Sequence, residues 1–215
     1  MSHTEDLEKK IVETAKQVFM EKGFQNTSMS DIAAAVGISR TALHYYFRTK
    51  DKIFQAVFGT LVLSFTPKIQ DILSKDAPFF EKVDRIIDEY FRIFSENPYL
   101  PRFIMGEVNR DAGHLLSVAE KMGFEQYIHA VIEAIEVEIA AGHIRRVPVH
   151  VILLSFVSQV TFPFMARKLI YQILCGENKE EDFKAVVEEC KRSVSLQMRL
   201  LLDPANKVPI PQTMC

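Results

Sequence analysis

Tryptophan is absent from the 215 residues, and only three cysteines and eight glycines are present. Cys175, Cys190 and Cys215 are too few and too far apart for a disulfide framework or a C-x-x-C metal site, which fits a reducing compartment. Charge of either sign is not in excess, since the formal net charge is −2, so bulk electrostatics selects no partner. The N-terminus, MSHTEDLEKK, contains acids and no apolar core and is not expected to act as a signal peptide; a cytoplasmic location is expected. Long uncharged stretches are also lacking, with one exception from Val147 to Ala166, twenty residues without Lys, Arg, Asp or Glu. Pro148, Pro163, His150, Ser155, Ser158, Gln159 and Thr161 interrupt that run, which reads as a buried helix and not as a membrane span. No stretch alternates with period two, and no internal repeat is visible.

The usual signatures of chemistry are missing as well. There is no glycine-rich phosphate loop and no paired nucleophile and base. His114, His129, His143 and His150 never stand three or four apart on one helix, and no H-E-x-x-H occurs. No catalytic set, no metal and no cofactor are expected. An enzyme using Glu107 or one of the histidines is the least supported of three readings.

What is present is helical periodicity, with 48% hydrophobic and 25% charged residues, ordinary values for a folded globule. Leu7, Ile11, Ala15, Val18 and Phe19 mark a first helix, with Glu5 and Asp6 in its first turn, Lys22 in its last and Gly23 as its stop. A helix from Asp51 to about Leu73 carries Ile53, Phe54, Val57, Phe58, Leu61, Val62 and Phe65 on a wide face, with a kink expected at Pro67. Further helices are expected over Asp76–Glu96, capped by Asp76 and Pro78, then over Leu100–Asp111, His114–Ala141, Val149–Leu174 and Glu180–Leu202. The spacing predicts an all-α chain of about nine helices, with a frayed tail.

The stretch Thr27–Lys52, TSMSDIAAAVGISRTALHYYFRTKDK, reads as two short helices around a glycine turn. Ser28 is placed to cap the first helix, with Asp31 in the acidic position of a capping box; Gly37 stops that helix and Ser39 caps the next. Ala33, Gly37 and Leu43 supply what a helix-turn-helix needs: a small residue at the crossing, a sharp turn and an aliphatic lock. Ile11, Phe19, Phe24, Ile32, Val36, Leu43 and Phe47, with Leu7, make a small core. Arg40, Thr41, His44 and Tyr45 then point outward. An arginine there can pair with guanine, and Thr41 and Ala42 can meet a thymine methyl. Arg40, Arg48, Lys50 and Lys52 stand against the single acid Asp51, a local positive excess suited to phosphates. Residues 1–55 hold eight Lys/Arg and seven Asp/Glu, against eighteen and twenty-one in the remainder. The charge asymmetry between the two parts is therefore slight.

The segment VGISRTALHYYFRTKDKIF resembles the recognition-helix region of the TetR family of bacterial repressors; the aromatic cluster followed by a basic residue, Thr, Lys and an acid carries the likeness. The resemblance implies a DNA-binding three-helix module over 1–50 and an all-helical domain over 51–215 that dimerises and holds a small inducer. Matched by position, it implies DNA contacts from Ser28, Ser30, Arg40, Thr41, Ala42, His44, Tyr45, Tyr46 and Lys50. The chain departs from the family where His44 replaces the usual tyrosine and Tyr46 an often-found histidine.

In the C-terminal part, Phe103, Met105, Phe124, Tyr127, Phe156 and Phe162, with Glu107 and Gln159, are the expected ligand-facing residues. Aromatic and methionine walls suit a hydrophobic or amphipathic ligand. Glu107 and Asn109 form a polar pair that fits either a cavity or a helix end. Helices near 149–174 and 180–202 carry more apolar surface than one core needs and are expected to join two copies. The reading is thus a cytoplasmic, homodimeric repressor of a palindromic double-stranded DNA operator, released by a small-molecule inducer. A small-molecule carrier whose basic helix is incidental is the alternative.

Overall fold

The computed structural model describes residues 3–209, and ten α-helices and no strands occur among them. Met1, Ser2, the side chains of His3, Thr4 and Phe65, and the tail from Ile210, with Cys215, lie outside the described residues. The chain forms two compact units, Met1–Thr66 with Tyr99–Glu125, and Pro67–Pro98 with Gln126–Cys215. This division differs from the expected one at residue 50, because a later helix packs into the first unit.

In the first unit, α1 spans His3–Lys22, α2 Met29–Val36 and α3 Arg40–Tyr46. The helix α4, Lys50–Ser74, begins there, and α6, Leu100–Lys121, completes the unit. Ile11, Phe19, Ile32, Leu43 and Phe54 are fully buried, whereas Leu7 is only half-buried near the start of α1. Aromatic rings bind these helices together: Phe24 lies 5.1 Å from Phe54 and 5.5 Å from Phe19. Phe103 of α6 adds to the cluster, 5.7 Å from Phe54 and stacked 6.4 Å from Phe19. A three-helix module of this size has a marginal core, and α4 and α6 enlarge it.

The helix α4 continues through Pro67 to Ser74. Proline removes the donor that would reach the carbonyl four residues back, here Leu63, and both residues are exposed, where water can take the donor's place. Two further boundaries differ from those read in the sequence. The expected stop near Asp111 is a kink inside α6 (φ −162, ψ 83), and the break comes at Met122–Gly123. Asp111 still caps, since its Oδ1 accepts from the His114 amide at 2.9 Å.

In the second unit, α5 (Phe79–Glu96), α8 (Val149–Met165) and α10 (Lys179–Leu202) pack on one another, with α7 (Phe124–Ala140) entering it from Gln126 onward. No side chain caps α5; Pro78 stands at its N-cap and Asp76 does not bond to it. Phe164 sits in the core beside Phe94, Phe91 and Phe183. The expected single helix from Val149 to Leu174 is two, α8 and α9 (Arg167–Ile173), bent by 64°. That break raises the count to ten. No single helix among the described residues is long and apolar enough to cross a membrane.

Candidate functional site

Local chemistry fixes the two short helices of the first unit. Ser28 Oγ accepts from the Asp31 amide at 3.1 Å, and Asp31 Oδ2 accepts from the Ser28 amide at 2.8 Å, a complete capping box at the start of α2. The Ser28 hydroxyl and amide, with Lys22, hold the Asp31 carboxyl well below the usual carboxylate range. Gly37 adopts φ 82, and the amides of Gly37 and Ile38 both return to the Ala33 carbonyl at 3.0 Å, closing α2. Ser39 Oγ then accepts from the Ala42 amide at 3.0 Å and opens α3. Leu43 is fully buried, and Ile32 and Val36 of α2, on which α3 packs, are buried too.

With Leu43 inward, α3 turns Arg40, Thr41 and Tyr45 to solvent, and Tyr45 is 81% exposed. Ala42, His44 and Tyr46 are half-buried at the margin, with the Tyr45 and Tyr46 rings edge to face at 5.4 Å. Arg40 Nε donates to His44 Nε2 at 3.4 Å, so a neutral His44 carries its proton on Nδ1. Among the described residues neither Arg40 nor Arg48 has a carboxylate partner, which leaves both cations available. Ser30 is exposed. Ser28 is exposed too, but both of its donors are engaged by Asp31.

Lys50 departs from this outward set. Its Nζ donates to the carbonyls of Phe24 and Thr27, each at 2.8 Å, and approaches that of Gln25 at 3.5 Å. The ammonium also sits 4.3 Å from the centre of the Phe24 ring. Sequence spacing gave no sign of this arrangement, since the partners lie 23 to 26 residues away.

The eight residues expected to face a ligand divide between the two units. Phe103, Met105, Glu107 and Phe124 belong to the first unit; Tyr127, Phe156, Gln159 and Phe162 belong to the second. Phe103 is core, and Met105 is exposed. Glu107 is 4% exposed and pairs with Arg110 at 2.7 Å; with Phe103 and Asn109 it lines a cavity of about 580 Å³ between the end of α1 and α6. Phe162 is 63% exposed, because the turn of α8 that buries Phe164 faces it outward. Two of the eight, Tyr127 and Phe156, meet in the second unit through Tyr90 of α5. Its hydroxyl lies 3.2 Å from that of Tyr127, and its ring stands edge-on to Phe156 at 5.2 Å. Burial raises the pKa of both tyrosines, keeping them neutral donors. Gln159, one turn beyond Phe156, has a buried Oε1 without a hydrogen-bond partner.

Among the described residues no group of His, Cys, Asp or Glu is arranged to hold a metal ion. Cys190 is half-buried, and burial raises its thiol pKa.

Residues 11–57 match the family model described as "Bacterial regulatory proteins, tetR family". The uncharacterized HTH-type transcriptional regulator YvdT of Bacillus subtilis is 32% identical over 84 residues, 39% of this chain and 43% of that protein. The HTH-type transcriptional regulator SrpR of Pseudomonas putida is 26% identical over 137 residues, 61% of this chain and 62% of the relative. The chain therefore spans less than two thirds of the length of these relatives. Among solved structures, the transcriptional regulator FadR of Bacillus subtilis in complex with stearoyl-CoA has a similar fold, with a TM-score of 0.66, 16% identity, and coverage of 86% of this chain and 96% of that one.

Proposed function

We propose that this chain, a member of the TetR family of bacterial regulatory proteins, is a homodimeric repressor that reads a palindromic operator with α3 and leaves it when a small amphipathic molecule binds. The observation that carries the reading is the construction of α3. It is anchored by buried Leu43 and turns Arg40, Thr41 and Tyr45 outward, and among the described residues neither Arg40 nor Arg48, just beyond its end, has a carboxylate partner. Arg40 is the candidate for guanine, Thr41 and Ala42 for a thymine methyl, and Ser30, His44, Tyr45 and Tyr46 for the backbone; Ser28 would have to release its hydroxyl from Asp31 to join them. Two copies would place their recognition helices about 34–36 Å apart, one turn of the duplex.

The second copy is taken up by apolar surface on α8, α9 and α10. Leu154, Val157, Leu169, Ile173, Leu196 and Leu200 are exposed there, more than an isolated unit would leave in water. The inducer belongs to the second unit, around Tyr127, Phe156 and Gln159, where a hydrogen-bond donor would satisfy the Gln159 oxygen and aromatic rings would take an apolar body. The FadR structure with stearoyl-CoA supports a long acyl chain as the first class to try. A ligand that favours the DNA-incompetent form by about 1–3 kcal/mol weakens operator binding roughly 5- to 150-fold. As a DNA-binding regulator the chain acts in the cytoplasm.

Selection of bound duplexes from a randomised pool tests the reading. A twofold-symmetric site is expected. Enrichment of no sequence by protein freed of bound small molecules would overturn it.

A further inference from the structure

We infer that Lys50, which by resemblance should touch DNA, is instead a positioning residue that fastens the start of α4 to the α1–α2 turn and so sets where α2 begins. The inference rests on the DNA-binding reading only for its consequence, since the fastening itself is a property of the free protein.

An ammonium has three donors and no acceptor. In Lys50 all three are directed at main-chain carbonyls, those of Phe24 and Thr27 at 2.8 Å and that of Gln25 at 3.5 Å. The face of the Phe24 ring takes another side of the cation at 4.3 Å. A phosphate oxygen could be reached only by withdrawing the ammonium from carbonyls beyond the end of α1, which closes at Lys22 before Gly23 turns the chain at φ 80; of these the Phe24 carbonyl has a second donor, the Thr27 amide at 3.3 Å. The end of α1 is also where the helix dipole favours a cation.

The turn is tied down at the point that matters for α2. Thr27 is buried, its Oγ1 donates to the Gly23 carbonyl at 2.8 Å, and its own carbonyl is held by Lys50. The next residue, Ser28, is the N-cap of α2. Because α2 carries Ile32 and Val36, which share a core with Leu43, an unfastened turn shifts the seat of the recognition helix. Phe24 is steadied from another side by Arg110 of α6, whose guanidinium carbon lies 4.7 Å from the ring centre. Arg48 is different: it is exposed and has no carboxylate partner among the described residues, as a phosphate-binding arginine should be.

Two measurements on wild-type protein, Lys50→Met, Lys50→Arg and Arg48→Ala test this. The first is hydrogen exchange of the Thr27 and Ile32 amides in the free protein. The second is fluorescence anisotropy with a fluorescein-labelled mixed-sequence duplex over a range of KCl. Removing a cation that neutralises one phosphate should make the dependence of log affinity on log salt shallower by about 0.9. Arg48→Ala is expected to show that change with exchange unaltered. Lys50→Met is expected to bind more weakly at every salt concentration with the slope kept, and its turn amides should exchange roughly tenfold faster or more. Lys50→Arg keeps the charge but cannot converge a planar fork on three carbonyls, so it should keep the slope and still exchange faster. It also serves if Lys50→Met does not fold. A Lys50→Met slope as shallow as that of Arg48→Ala, or exchange unchanged in both Lys50 variants, overturns the inference. If wild-type protein binds no duplex at any salt, the DNA-binding reading fails, and hydrogen exchange still decides whether Lys50 fastens the turn.

Discussion

The guanidinium of Arg110 lies over the ring of Phe24, 4.7 Å from its centre, and Glu107, one turn earlier on α6, holds it there through a 2.7 Å ion pair. Arg110 Nη2 also reaches His114 Nδ1 at 3.1 Å. Guanidinium only donates, so Nδ1 accepts and a neutral His114 carries its proton on Nε2, which faces Asp51 of α4 at 3.7 Å. One face of α6 thus touches both the α1–α2 turn and the start of α4.

Removing one partner of that pair should be costly, because Glu107 is buried and Arg110 largely so. Glu107→Ala is expected to lower stability by roughly 3–5 kcal/mol, measured by urea unfolding, whereas Glu107→Leu with Arg110→Met should recover most of it. Equal losses in the single and double variants would show that the pair is not the source.

Asp31 gives a pH signature. Ser28 and Lys22 hold its carboxyl below the unfolded value, which is near 4. A depressed folded-state pKa means the contribution is present above the unfolded value and is lost as pH falls through the folded one. Thermal melts should therefore show Asp31→Asn less stable than wild type at neutral pH, with the gap closing in strong acid. A gap independent of pH would contradict the assignment.

Two glycines should respond in opposite directions to alanine. Gly37 has φ 82, where a Cβ is strained, and Gly37→Ala should cost roughly 1–2 kcal/mol. Gly106 lies inside α6 with nothing within 4 Å of an added Cβ, so Gly106→Ala should be neutral or gain up to about 1 kcal/mol of helix stability. Denaturant midpoints decide both.

These two positions also show what the sequence could reveal. Ser28, Gly37, Ser39 and Leu43 act on neighbours within a few residues, so spacing alone placed the capping box, the turn and the lock. The fold class was legible for the same reason. The roles that escaped depend on distant partners. Phe103 is buried because α6 packs beside Phe19 and Phe54, and it also lines the cavity beside Glu107. Lys50 resembles a phosphate-binding lysine and bonds carbonyls more than twenty residues away. The bend at Ala166 carries no glycine, and the proline that precedes it, Pro163, lies inside α8.

The exposed face of α10 predicts assembly. Leu196→Glu together with Leu200→Glu should yield a monomer by sedimentation with helicity unchanged, because both side chains are exposed while Phe183, Val187 and Met198 keep the core. A dimer that persists in this variant would move the interface elsewhere.

The most direct measurement is the affinity of wild type and Arg40→Ala for the selected symmetric duplex and for a scrambled one. Wild type is expected to prefer the symmetric site, and Arg40→Ala to lose about 1–3 kcal/mol at that site while changing the scrambled duplex far less, with sequence preference relaxed at one base pair of each half-site. If Arg40→Ala weakens both duplexes equally and leaves the preference at every position intact, α3 is not what reads the DNA.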